Sequence, residues 1–141
     1  MSLNEQTLAE HLRLSEKALS HDWGAFTLFG LFELEDTPGR WDLIASASWL
    51  TANLPTIQQF VDGLQPYLKA EEWSQIRQIV PLRPDEPFVQ AMLRLLKPAA
   101  HDLWETGPLF TADYRVSRAL IITAAPVAIL GRETRDALLA S

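Results

Sequence analysis

The chain has 141 residues, 48% of them hydrophobic and 21% charged, the proportions of a globular domain with one core rather than of a disordered segment. A formal charge of −6 and a pI near 5.0 argue against a nucleic-acid partner, because a net negative surface repels phosphate backbones. The absence of cysteine removes disulfides, thiolate zinc sites and cysteine nucleophiles together.

Ser2 to Glu5 has the spacing of a capping box, with Asn4 as an alternative cap. Leu8, Leu12 and Leu19 follow a helical period, and this first helix should close before Gly24. From Ala25 to Glu35 the period changes to two, with Phe26, Leu28, Gly30, Phe32 and Leu34 on one side. Thr37-Pro38-Gly39-Arg40 fits a type II turn, Pro second and Gly third. Trp41 to Leu50 is then the return strand of a hairpin. Asn53-Leu54-Pro55 opens a second helix, whose stripe is Ile57, Phe60, Val61, Leu64 and Leu68 and which Pro66 ends or kinks. Glu71 to Gln75 makes a further short turn of helix.

Ile76 to Leu82 reads as a third strand, and Asp85 as the cap of a helix from about Pro87 to Leu96, stopped by Pro98. Ala99 to Asp113 reads as a loop with a short helical turn around His101 to Glu105. Val116 to Thr123 is a fourth strand, Ala124 to Leu130 a small apolar run, and Arg132 to Ala140 a closing helix. No repeat or linker interrupts this series, so a single globular domain over 1–141 is expected. Its class is α+β: a mixed sheet of about four strands, opened by an antiparallel hairpin and packed by about three helices, in the order α-β-β-α-β-α-β. An α/β sandwich is the alternative. With no basic-then-apolar leader and no apolar run of membrane-spanning length, a soluble, cytoplasmic protein without a membrane partner is expected.

A two-residue turn at Pro38-Gly39 sets Leu34 opposite Leu43, Phe32 opposite Ala45, Gly30 opposite Ala47 and Leu28 opposite Trp49, one apolar face. The other face pairs Glu35 with Asp42, Glu33 with Ile44, Leu31 with Ser46 and Phe29 with Ser48. Glu33, Glu35 and Asp42 would then cluster, as carboxylates do where a metal-dependent phosphodiesterase or nuclease holds Mg²⁺ or Mn²⁺. The plainer reading is solvated charge beside a turn, with Arg40 as counter-charge. Lys17, Lys69 and Lys97 all lie off the hairpin, which counts against the nuclease reading, and no metal site is assigned.

Arg77, Arg83, Arg115 and Arg118 attach to the third and fourth strands. Together they would form a patch for an anionic small molecule; acidic partners within the domain are the plainer reading. The histidines are His11, His21 and His101. His21-Asp22 and His101-Asp102 are adjacent pairs, but none has the spacing of helical metal ligands, and neither HExxH nor GxSxG occurs. The glycines are scattered rather than gathered into a phosphate-cradling loop. Pro81, Pro84 and Pro87 mark a strand exit and a helix start rather than a polyproline ligand. Most tryptophans belong to the core, with Trp41 and Trp73 nearest the surface.

A hairpin apolar on both faces needs two covers. Phe29, Leu31, Ile44 and Leu50, or the run Ala124 to Leu130, are therefore the candidate interface of a homodimer; cover by the first helix and the tail within one chain is the competing arrangement. The function these features favour is a small binding or regulatory module, not an enzyme. It would act through contacts with a second copy or an unknown protein partner, and need no cofactor.

Overall fold

The computed structural model describes residues 3–51 and 53–125. The Ser2 cap, most of the run Ala124 to Leu130 and the expected helix at 132–140 lie outside the described residues. Helix α1 (Leu3–Trp23) is followed by the hairpin of β1 (Phe26–Leu34) and β2 (Trp41–Ala47). Asn53 caps α2 (Leu54–Leu64), its Oδ1 accepting the Thr56 N–H at 3.1 Å. At Pro66 the chain tightens into a 3₁₀ turn, Gln65–Tyr67, and α3 (Ala70–Trp73) leads into β3 (Ile76–Leu82). Helix α4 (Pro87–Leu95) starts from Glu86, not Asp85, whose carboxylate instead takes Arg83 at 2.9 Å. Strands β4 (Trp104–Thr106), β5 (Leu109–Phe110) and β6 (Arg115–Ala124) complete the sheet. Among the described residues no helix is long and apolar enough to cross a membrane.

The class is α+β, with four α-helices among the described residues and a six-stranded mixed sheet in the order β3-β2-β1-β6-β4, β5 also pairing with β6. Among the described strands only β2 and β3 run parallel, and they are joined through α2 and α3, the long crossover a parallel pair requires. The two strands beyond the expected four are β4 and β5, in the stretch expected to be a loop. They are too short to show an alternating pattern. Each pairs with β6 on the edge that β1 leaves open, where its backbone groups would otherwise lack partners.

Helices cover both faces. On one, Leu8 and Leu12 of α1 and Phe60 and Leu64 of α2 pack on Phe29, Leu31, Leu43 and Leu120. On the other, Val89 and Met92 of α4 pack on Leu28, Phe32, Ile44 and Ile121. A bulge at Thr27 turns Phe26 away from the side Leu28 occupies, so Phe26 stacks edge-on with Phe29 at 4.9 Å and with Phe60 at 6.0 Å. Each fully buried phenylalanine contributes about 2–3 kcal/mol by leaving water.

The hairpin register differs from the one its Pro-Gly turn alone would set. Leu31 faces Leu43, Phe32 faces Asp42 and Gly30 faces Ile44, an offset of three residues. The type II turn does form: Arg40 N–H donates to the Thr37 carbonyl at 3.3 Å and Gly39 has φ 79°. A second turn precedes it, closed by Thr37 N–H on the Leu34 carbonyl at 3.1 Å, and takes up the three extra residues. An odd offset inverts one strand relative to the other. Gly30 accordingly faces Ile44 on one side and Ile121 on the other, not Ala47. The space beside it is filled by β6: a Cβ there would meet the Leu120 carbonyl oxygen at 2.8 Å.

Gly30→Ala should therefore lower stability in urea by about 1–3 kcal/mol, the usual range for overpacking a tight core. Gly39→Ala, exposed with nothing within 4 Å of the added carbon, should cost about 1–2 kcal/mol from left-handed backbone strain alone. A Gly30→Ala protein as stable as the unmodified chain would contradict the close approach of β1 and β6.

Candidate functional site

One face of the sheet is covered more completely than the other. Helices α1 and α2 share the first face, whereas α4, nine residues long and so about 14 Å, has the second largely to itself. Five neighbouring strands span roughly 19 Å, so the described residues leave part of that face open. The opening is a cleft of about 600 Å³ between α4 and the turn end of β1, β2 and β3, within the range of ligand-binding cavities.

Its walls are apolar: Leu34, Ile44, Val80, Leu82, Phe88 and Tyr114. Phe88 is fixed edge-on between buried Phe32 at 5.5 Å and Tyr114 at 4.9 Å, a preferred aromatic geometry. The polar groups are Asp42 and Gln78 on the strands, with Glu35, Asp36, Asp113 and Arg115 around the mouth. Asp42 is 2% exposed and fully engaged. Arg77 donates to it as a fork, Nε at 2.9 Å and Nη2 at 2.8 Å, and Gln78 Nε2 adds a third bond at 3.1 Å. A bulge in β3 at Arg77 aims that side chain at Asp42. The hydrogen bond from the guanidinium to Asp42 holds Arg77 more firmly protonated than a free arginine, against a smaller opposing effect of burial.

The sequence-predicted acids do not converge. Asp42 shares a face with Phe32, so Glu33 lies on the opposite side, where its carboxylate takes the Gly39 N–H at 2.8 Å and approaches Arg118 Nε at 3.5 Å. Glu35 stands at the cleft mouth, paired with Arg115 at 3.1 Å. Among the described residues no three His, Cys, Asp or Glu side chains are grouped as a metal site would need.

The four arginines are also dispersed, each on a carboxylate: Arg77 on Asp42, Arg83 on Asp85, Arg115 on Glu35 and Arg118 on Glu5. Arg118 grips Glu5 as a fork at 2.8 and 3.0 Å, which holds its guanidinium more firmly charged. It also lies over the Trp41 ring at 4.7 Å. Trp41, packed in the α1-side core with that guanidinium over its ring, is 4% exposed, correcting its expected place near the surface; Trp23, half exposed at the end of α1, is the tryptophan at the surface. Phe29, Leu31 and Leu50 are buried beneath α1 and α2, and Ile44 beneath α4. Phe29, Leu31 and Leu50, at 0–1% exposure, are covered by the chain itself, whereas Ile44, at 4%, forms part of the cleft wall.

A second polar centre was not legible as a motif. Glu16 is fully buried. It accepts from the hydroxyls of Thr123 at 2.9 Å and Ser20 at 3.1 Å, and His101 Nδ1 lies 2.5 Å from it. The His101 partner is thus 85 residues away, while the adjacent Asp102 binds the Leu103 N–H instead. His101 has φ 55°, a left-handed conformation uncommon for histidine, and its N–H is held by Thr123 Oγ1 at 3.1 Å. His11 and Glu72 form a comparable pair at 2.8 Å between α1 and α3. The signal for Glu16 was its place in the α1 stripe, four residues after Leu12 and three before Leu19, where a charged residue must find partners. Because His101 does not line the cleft, the pair acts as a bracket joining α1, the β4 approach and β6.

No protein-family model, no curated protein and no solved structure matches the chain.

His101→Ala should cost about 2–3 kcal/mol in urea unfolding, since it withdraws a hydrogen bond from a buried carboxylate. His21→Ala, which removes an 89% exposed ring paired with neighbouring Asp22, should change stability by less than about 0.5 kcal/mol. Equal effects at the two positions would contradict the bracket.

Proposed function

We propose that the chain is a small binding module that acts through protein contacts, and that the cleft between α4 and the sheet receives a segment of its partner. The observation that carries this reading is the cleft's construction: an apolar wall set by edge-to-face aromatics, beside strands cross-linked by the Asp42–Arg77 fork. A preformed concavity of this kind binds without first reorganising, which spares part of the entropic cost of association. Large apolar side chains left at a surface are otherwise a liability.

Strand addition at the outer edge of β3, which no described strand pairs, is a weaker route to the same function. Pro81 lacks an N–H there and the bulge at Arg77 interrupts the run, two devices that blunt an edge against pairing. Side chains inserted into the cleft are the better supported contact.

A photo-reactive p-benzoylphenylalanine placed at Leu34 should give a discrete, protease-sensitive adduct when irradiated in the native cell, and Val80→Glu should abolish it. The same group at Lys17, an exposed position of α1, should give none of that mass. No adduct from Leu34, or the same adduct from both positions, would overturn the proposal.

A further inference from the structure

The charge around the cleft says what kind of segment it accepts. Four carboxylates line it, Glu35, Asp36, Asp42 and Asp113, against one cation, Arg115. Two of the four are answered within the chain: Asp42 by the Arg77 fork and Glu35 by Arg115. The side chains of Asp36 and Asp113 make no hydrogen bond or ion pair among the described residues. Both are exposed, so they cost nothing in the empty state. Arg77, already held by Asp42, also attracts Asp36, and the four carboxylates set against the two guanidiniums of Arg77 and Arg115 leave two negative charges in excess beside an apolar hollow. Low-dielectric walls focus such a field into the opening. An anionic ligand would meet repulsion, and a purely apolar one would leave the rim unused.

We propose that the cleft recognises a peptide segment of the partner in which an apolar side chain of phenylalanine size stands beside an arginine or lysine. The apolar side chain packs against Phe88, Ile44 and Val80, and the cation sits at the mouth between Asp36 and Asp113. Arg115 is not free to oppose it, since Glu35 holds its guanidinium and the Phe110 ring lies 4.5 Å beneath it. This inference rests on the cleft being the binding site, and it adds the charge of the occupant.

The probes are N-acetyl-Phe-Arg-amide, N-acetyl-Phe-Gln-amide and N-acetyl-Phe-Glu-amide, titrated separately at low salt into the full ¹⁵N-labelled chain while backbone amide shifts are followed. Shifts should centre on Leu34, Ile44, Val80 and Leu82. The arginine probe should bind about threefold to tenfold more tightly than the glutamine probe, the range set by two exposed charge contacts, and the glutamate probe more weakly than either. The double substitution Asp36→Asn with Asp113→Asn should remove the preference while leaving the glutamine probe unaffected. Equal affinity of all three probes for the cleft would overturn the charge inference and leave the binding cleft standing. An absence of cleft shifts with any probe would overturn both. Cleft shifts that depend on protein concentration without a probe would make a second copy the occupant. Displacement of the chain's own residues 126–141 by the arginine probe would make that segment the occupant. Either result overturns a partner's peptide in that role.

Discussion

The register between β1 and β2 is the constraint from which the rest follows. Because the loop contains two successive turns, Phe32 rather than Glu35 stands opposite Asp42. That pairing puts Asp42 on the α4 side, within reach of Arg77 and Gln78 on the neighbouring β3. It sends Glu33 and Trp41 to the α1 side, where Arg118 bridges Glu33 and Glu5 while covering the indole. One odd offset thereby divides the acids of the hairpin between two layers. It turns a would-be metal cluster into two separate ion-pair systems, one of which borders the cleft.

Buried carboxylates hold the layers together around this sheet. Asp42 ties β2 to β3, Glu16 ties α1 to β6 through Thr123 and His101, and Glu72 ties α3 to α1 through His11. Burying such groups is unfavourable unless every one finds partners, and networks of this kind specify one arrangement over its neighbours more than they add stability. Glu72 illustrates the economy of the design. Its Oε1 also accepts the Lys69 N–H at 2.9 Å, so one side chain both caps a four-residue helix and docks it. The α1 face is closed by two helices and by the Glu16 and Glu72 brackets. Among the described residues the α4 face has a single short helix, and there the apolar wall reaches solvent.

Much of this was legible in the sequence where periodicity was unambiguous. The stripe of α2, the cap at Asn53, the full extent of β3 and the Pro-Gly turn all rest on local rules that the tertiary structure does not disturb. The register was not legible for a definite reason. From Phe26 to Phe32 every residue of β1 is buried, so alternation favours neither face and burial cannot choose between offsets. Strands β4 and β5 escaped because two or three residues carry no period. The cleft escaped because its lining comes from β1, β2, β3, α4 and the approach to β6, which only the sheet order brings together. Glu16 was the one buried acid with a local signal, a charge interrupting a leucine stripe. Its partner His101 lay beyond any local rule.

A nuclear Overhauser map of the hairpin in the full labelled chain tests this account most directly. Cross-strand contacts are expected between the backbone protons of Phe29 and Ala45 and of Leu31 and Leu43, with Asp42 and Gln78 adjacent across β2 and β3. Contacts joining Leu34 to Leu43 and Phe32 to Ala45 would contradict it. They would place Glu33 and Asp42 on one face and dissolve the cleft on which the proposed function depends.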